Sequence, residues 1–155
     1  MAIRNITESV VITNNAPDVQ VNFASLEWLT NGTFSNCSEV LIPILQTVHG
    51  GVYFTQNSFS KLEAPYLQSA SGSFVISGSY DLSNLSIPLL QSLQGGLDIE
   101  NNKALNTILM PALNYLGEDL IIINNNVTVV DGFPNLVTVE GNIDLEGSFG
   151  MYASS

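Results

Sequence analysis

The sequence predicts an all-β fold, a parallel β-solenoid of about seven coils of 22–23 residues with little helix. Three observations predict it: prolines recur at a nearly fixed interval, apolar residues recur at fixed offsets from them, and no segment keeps a helical period. Five prolines define four intervals, of which the first is one position shorter than the other three, and those three are equal. The prolines that define them are Pro43, Pro65, Pro88, Pro111 and Pro134.

Two strand columns define each coil when its proline is taken as offset zero. Apolar residues at offsets +9 and +11 alternate with outward neighbours at +10, which is the two-residue period of a strand with one buried face. Branched and aromatic residues dominate there, as strands prefer. Further apolar columns at +2, +5 and near +17 to +20 supply the other inward positions. The two strand columns are Val52, Phe74, Leu97, Leu120 and Ile143, then Phe54, Ile76, Ile99, Ile122 and Leu145.

The corners between walls are predicted from glycine and asparagine. Glycine at offset +7, as in Gly72, permits a turn with positive φ. Asparagine at offset +14, as in Asn57, Asn102 and Asn125, suits another corner because asparagine tolerates the left-handed region. Stacked asparagine side chains at this corner can also bond along the solenoid axis. The remaining coils have serine at this offset, Ser79 and Ser148.

The repeats form one predicted domain, residues 1–155, with coils starting near residues 1, 24, 43, 65, 88, 111 and 134. The coil that starts at Ala24 is shorter than the rest, because the next one already begins at Pro43. Neither end has a recognisable cap, although an uncovered solenoid end exposes strand edges and apolar core. We therefore expect either a fragment of a longer protein or a chain that stacks end to end.

The charge balance excludes two classes of partner. The net charge is −11, and the only cations are Arg4, Lys61 and Lys103, too few to neutralise a nucleic acid or to bind an anionic membrane. No signal peptide, anchor signal or apolar segment long enough to span a membrane is predicted in this chain, so it does not insert directly. Cys37 is the only cysteine, either a buried inert thiol or a half-cystine with a partner outside this sequence.

Read as a consensus, the columns give Pro-x-Leu-x-x-Val-x-Gly-x-Leu-x-Ile-x-x-Asn-x-x-Leu, as in residues 88–102 (PLLQSLQGGLDIENN) and 134–149 (PNLVTVEGNIDLEGSF). With residues 25–38 (SLEWLTNGTFSNCS), this resembles the receptor L-domain-like repeats, related to leucine-rich repeats, of fungal GPI-anchored cell-wall-organisation proteins. The resemblance implies a right-handed solenoid, secretion, N-glycosylation, a GPI anchor and a role in wall organisation. It brings no catalytic residues. The signal peptide, Ser/Thr-rich stalk and anchor signal of that family do not occur in this chain.

Five sequons mark candidate sites of N-glycosylation. They start at Asn5, Asn31, Asn36, Asn84 and Asn126. Those at 31, 84 and 126 fall at or near predicted turns, where a glycan is tolerated. The sequon at 36 overlaps the single cysteine, which makes it the weakest of the five.

Catalytic, metal and cofactor sites are not predicted. His49 is the only histidine, at a predicted exposed turn, and a chain with one histidine and one cysteine cannot supply a zinc site. Asp98 and Asp144 lie two coils apart, about 10 Å, which is within the range for an inverting glycosidase pair. Ile121 and Ile123 lie between them, and no cleft is predicted there. The chain is therefore predicted not to be an enzyme.

The outward offsets +10 and +12 of one sheet form the candidate partner surface, here called the strip. Its apolar members, flanked by acids, could receive a partner, although a solvated sheet face would have the same pattern. The strip consists of Tyr53, Val75, Asp98, Glu100, Ile121, Ile123, Asp144 and Glu146.

Three functions remain open at this point. The first is a secreted structural or adhesive protein of the cell surface or cell wall, which supports wall organisation. The second is a ligand-binding module whose strip recognises a peptide or glycan, with cell-wall polysaccharide or a surface protein as partner. The third is a self-stacking subunit that joins end to end into filaments. An ice-binding solenoid is disfavoured because no regular outward threonine ladder occurs.

Overall fold

A computed structural model describes residues 2–16, 18–128 and 130–147. In this part of the chain every regular element is a β-strand, and no helix is present that could cross a membrane. The strands are β1 (Asn5–Ile12), β2 (Val19–Asn22), β3 (Trp28–Ser35), β4 (Cys37–Leu41), β5 (Thr47–Val48), β6 (Val52–Thr55), β7 (Lys61–Glu63), β8 (Ser69–Ala70), β9 (Phe74–Ser77), β10 (Asn84–Ser86), β11 (Ser92–Leu93), β12 (Leu97–Glu100), β13 (Thr107–Leu109), β14 (Tyr115–Leu116), β15 (Leu120–Ile123), β16 (Thr138–Val139) and β17 (Ile143–Glu146).

The largest sheet has 12 strands, all paired in parallel, and it forms two walls of the solenoid. The long strand β3 pairs with both β5 and β6, so from the third coil onward one strand is replaced by two that flank a corner. The first wall then continues through β8, β11, β14 and β16, and the second through β9, β12, β15 and β17. Along the second wall, seven rungs from β1 to β17 are joined by six turns of chain. The predicted parallel β-solenoid is confirmed.

The third wall is formed by two separate short sheets. Strands β7, β10 and β13 pair in parallel, with Lys61, Asn84 and Thr107 opposite one another. Strands β2 and β4 form a second parallel pair. Among the described residues, β4 and β7 do not pair, so the wall is interrupted between the second and third coils.

The core follows the predicted columns. In the middle coils the residues at offsets +9 and +11 are buried, while their neighbours at +10 point outward. Phe34, Phe54 and Phe74 continue these columns as an aromatic stack, with successive ring centroids 5.2 and 5.7 Å apart. The last rung differs, because Ile143 and Leu145 are 60% and 41% exposed. They lie on a strand that has a neighbour on one side only among the described residues.

The asparagines at offset +14 turn inward, and they hydrogen-bond from coil to coil as predicted. Asn102 is fully buried, and its Oδ1 accepts from Ser79 N at 3.0 Å. Its Nδ2 donates to Ile76 O at 3.0 Å and to Asn125 Oδ1 at 3.1 Å. Ser148, at the same offset, lies outside the described residues.

The predicted left-handed backbone at offset +14 is wrong. Positive φ occurs one residue earlier, at offset +13, as in Gln56 and Asn101. The side chain at +14 can then turn inward to bond the neighbouring coils.

The glycines at offset +7 have a different role from the one predicted, because none of them has positive φ. They are instead required by close approach of consecutive coils. A Cβ on Gly72 would lie 2.6 Å from the carbonyl carbon of Gly50, the glycine below it. At Gly72 a residue without a side chain allows this close approach, whereas the coil that starts at Pro111 has Glu118 at the same offset.

Candidate functional site

The strip occupies one outward face of the second wall. Its +10 row runs from Tyr53 through Val75, Asp98 and Ile121 to Asp144, each directly opposite the next on adjacent strands. The +12 row continues in the same register, with Glu100, Ile123 and Glu146 after Thr55 and Ser77. The eight predicted residues therefore lie together on one surface. Their role in binding stays a prediction.

Asp98 is the least satisfied group of the strip. Its carboxylate lies between the side chains at the same offset of the two flanking strands, Val75 and Ile121. The Oδ1 atom is buried and has no hydrogen-bond partner among the residues that the structure describes. Burial, followed by the nearby charge of Glu100, raises the pKa of Asp98 to about 6. A carboxylate held in this way is complementary to a donor or a cation on a partner.

Asp98 and Asp144 are not arranged as a catalytic pair. Ile121 lies between them in the row. Neither carboxylate lines either of the two concavities described below. In the described ranges, no group of three or more His, Cys, Asp or Glu side chains could hold a metal ion. No candidate metal ligands were predicted from the sequence either.

An open hollow beside the strip is lined by hydroxyl, amide and aromatic groups. Tyr80 is 59% exposed at its rim, with Lys103 Nζ 5.5 Å from the ring centroid. Sequence analysis missed both residues, although they share offset +15 in adjacent coils and the register could have paired them. An exposed aromatic face with amides nearby is suited to contact sugar rings. The lining is Thr55, Gln56, Ser77, Gly78, Tyr80, Asn101 and Lys103.

A groove of about 200 Å³ lies on the third wall, at the place where this wall is interrupted. Its apolar part includes Val40, Ile42 and Phe59, all buried. Glu39 borders it from β4, and Lys61 and Glu63 border it from β7. This groove was not predicted, and the short second coil was the only signal of it in the sequence.

The sequons differ in how freely their asparagines meet solvent. Asn5, Asn84 and Asn126 are exposed. Asn31 is partly buried, and its Oδ1 accepts a hydrogen bond from Gly51 N at 3.1 Å. Asn36 is partly buried and has a φ of 56°. The geometry therefore favours glycans at positions 5, 84 and 126 over those at 31 and 36.

Two residues that the sequence analysis singled out have structural surroundings. His49 is exposed, and its ring meets Trp28 edge-on with centroids 5.1 Å apart. Cys37 is a buried free thiol, and burial raises its pKa. A thiol of this kind is poorly reactive, because the reactive form is the thiolate.

Comparison with known proteins identifies distant relatives in fungi. Cell wall protein ecm33 of Schizosaccharomyces pombe is 31% identical over 77 residues, which is 50% of this chain and 18% of that protein. Sporulation-specific protein 2 of Saccharomyces cerevisiae is 27% identical over 72 residues, 46% of this chain and 14% of that protein. The matched regions thus span under a fifth of each relative. No protein-family model matches the chain, and no solved structure matches it.

Proposed function

We propose that this chain is a non-enzymatic repeat domain of the fungal cell surface or cell wall, with a structural or adhesive role in wall organisation. The similarity to cell wall protein ecm33 over half of the chain carries the proposal. The low charged fraction, 11%, and the exposed sequons support an extracellular location. Glycans on the exposed asparagines would extend into solvent and leave the buried columns undisturbed.

The test is the intact mass of the protein from its native cells, before and after N-glycosidase treatment. We expect the treatment to lower the mass, with deamidated asparagine mapping to Asn84 and Asn126, because both side chains are exposed. We also expect the protein in the cell-wall fraction. A bare chain of 16.7 kDa in the cytosolic fraction would contradict the proposal.

A second candidate function is ligand binding by the second wall. The unpartnered Oδ1 of Asp98 and the adjacent hollow around Tyr80 favour it, because together they offer an acceptor, an aromatic face and amides on one side of the solenoid. Such a surface is suited to a cell-wall polysaccharide with many hydroxyl donors, or to a surface protein.

Binding to insoluble cell-wall polysaccharide in a pull-down assay tests the second function. We expect the double substitution Ile121→Ser and Ile123→Ser to reduce retention at least fivefold, with the fold monitored by circular dichroism. A matched control replaces Val137, which is 85% exposed on another part of the surface, with serine. Equal retention of all three proteins would remove the strip as the binding surface.

End-to-end association is a third candidate. The described C-terminal end exposes Val137, Ile143 and Leu145, and the edge of β17 is unpaired among the described residues. A second copy of β1 could cover this end in a heterologous contact. Sedimentation at rising concentration should then show growing species, and a strictly monomeric chain at millimolar concentration would exclude it.

A further inference from the structure

The groove between β4 and β7 is a place where two strands occupy the same offsets of adjacent coils and yet form no ladder in the described part of the chain. Glu39 of β4 and Lys61 of β7 each stand four residues before the proline of the next coil, Pro43 or Pro65. In the next coils, the residues at this same position do pair, Lys61 with Asn84 in β10. Within the described residues, β4 has a ladder only with β2, and β7 only with β10.

Glu39 and Lys61 form no ion pair across the groove in the described part of the chain. Lys61 Nζ lies 3.4 Å from Glu63 Oε2 on its own strand, and its ion pairs in the described chain do not include Glu39. The interruption falls at the end of the short second coil, which begins at Ala24 and ends before Pro43. There β4 begins directly after the left-handed residue Asn36, whereas four residues separate the left-handed Gln56 from β7.

Main-chain groups on both sides of the groove point into it. Along a strand of a parallel sheet, the main-chain groups of successive residues point alternately to the two neighbouring strands. Leu41 O accepts a hydrogen bond from Phe23 N of the first coil, so the main-chain groups of Val40 point the other way, toward β7. Ala64 N donates to Ser86 O of the fourth coil. By the same alternation, Lys61 and Glu63 present their N–H and C=O groups to β4.

We propose that this groove is an insertion site for an extended polypeptide segment with alternating apolar and basic side chains. Such a segment supplies backbone donors and acceptors at strand spacing. It would thus pair with both β4 and β7, which do not pair with each other. Its apolar side chains contact the floor made by Val40, Ile42 and Phe59. Its basic side chains meet Glu39 and Glu63, in a protein of net charge −11. The inference is independent of the cell-wall role proposed above.

The test is a titration of the full ¹⁵N-labelled chain with the peptide acetyl-TVKVT-amide, followed by NMR. We expect saturable shifts of the amides of Val40, Lys61 and Glu63. The same peptide with its central residues N-methylated cannot complete the ladder, so we expect it to bind at least tenfold more weakly.

A matched pair of variants locates the site. Leu41→Arg beside the groove should weaken binding at least fivefold, and Leu109→Arg should leave it unchanged. Leu41 and Leu109 occupy the same offset and are similarly exposed, at 38% and 46%. The two substitutions therefore add the same charge and bulk to equivalent positions, one beside the groove and one away from it.

Three results would overturn the proposal. The first is the absence of shifts at these amides up to millimolar peptide. The second is equal binding of the N-methylated peptide, which would leave only side-chain contact. The third is an oligosaccharide from cell-wall glucan that shifts the same amides more strongly and displaces the peptide, which would make the groove a glycan site instead.

Discussion

The third wall contains two regions built from the same sequence columns but closed to different degrees. Between β7, β10 and β13 the coils have the full repeat length, and the strands pair residue by residue. Between β4 and β7 the register is equivalent, yet the ladder is absent among the described residues and a groove replaces it. The apolar column is the same in both regions, with Val40, Leu62 and Leu85 all buried. The apolar column therefore does not decide whether the wall closes.

The interruption is local, because the other two walls continue across it. Strand β3 pairs with β5 and β6, and Phe34 stacks on Phe54 between the same two coils. Asn57 also connects them, since its Oδ1 accepts from Cys37 N at 2.9 Å and its Nδ2 donates to Phe34 O at 3.0 Å. A groove can therefore exist on one side of the solenoid without separating the coils.

The comparison of the closed and open regions is tested most strongly by Leu85→Ala and Leu62→Ala, for which we expect the largest losses in free energy of unfolding. Both leucines are buried at the same offset, but Leu85 lies in a strand paired on both sides and Leu62 in the strand beside the groove. We expect Leu85→Ala to lower the free energy of unfolding by about 3–4 kcal/mol, and Leu62→Ala by about 2–3 kcal/mol, because the open side lets the site relax. Urea unfolding measures both values. Equal losses would mean that the groove does not loosen the wall.

The asparagines at offset +14, here called the asparagine ladder, hydrogen-bond from coil to coil. They should contribute to the free energy of unfolding in both regions, with a slightly smaller effect than the leucines. Replacing Asn102 with alanine leaves the backbone N–H of Ser79 and the carbonyl of Ile76 without their partner. We expect a loss of about 2–3 kcal/mol from urea unfolding. Asn57→Ala should cost a similar amount, and Asn114→Ala, at an exposed position, less than about 0.5 kcal/mol. If Asn57→Ala were as mild as the exposed control, the ladder would not hold the coils together at the interruption.

The repeat was readable from the sequence because each coil places the same residue types at the same offsets. Period-two alternation predicted the inward columns, such as Ile99 and Ile122, and the asparagines at offset +14 were predicted to bond between coils. The groove was not predicted, because the apolar column is the same on both of its sides, with Val40 and Leu62 both buried.

The positive φ at offset +13 was also missed. The residues at this position include Gln56, Gly78, Asn101 and Asn124. All of these except Gln56 are asparagine or glycine, the residues that best tolerate the left-handed region, so the signal was present but was assigned to the asparagines one position later.

Asp98, in the regular region, is a partly buried carboxyl group that destabilises the fold when it is ionised. Burial, and to a smaller extent the charge of Glu100, raises its pKa from 3.8 to about 6. A raised pKa means that the folded protein binds the proton more tightly than the unfolded chain. The stability that this tighter proton binding contributes is complete below about pH 4 and is lost as the pH rises to about 6. The other groups around it on β9 and β15 are the uncharged Val75 and Ile121. Asp98→Asn should therefore stabilise the protein at pH 7.5 by about 1 kcal/mol, after allowance for its partial exposure, with little effect at pH 4.5.

Thermal unfolding of the unsubstituted protein and of Asp98→Asn, at pH 4.5 and at pH 7.5, checks this prediction. The difference in stability between the two proteins at each pH removes the pH effects that they share. Asp144→Asn is the matched control, because it changes the same charge at an exposed position of the same row. A stabilisation of equal size at both pH values would show that Asp98 acts by packing rather than by ionisation.

The smallest effect compares two residues at offset +13 on adjacent coils, Gln56 beside the interruption and Gly78 in the regular stack. Both have left-handed backbone, with φ of 55° and 65°. A residue with a side chain is disfavoured there by about 1–2 kcal/mol, whereas glycine is not, although glycine loses more entropy on folding. We expect Gln56→Gly to stabilise the protein by about 0.5 kcal/mol, measured as a higher urea midpoint. Asn101→Gly should change it less, because asparagine tolerates this conformation. If Gln56→Gly destabilised the chain instead, the glutamine side chain itself would contribute to holding the third coil against the fourth.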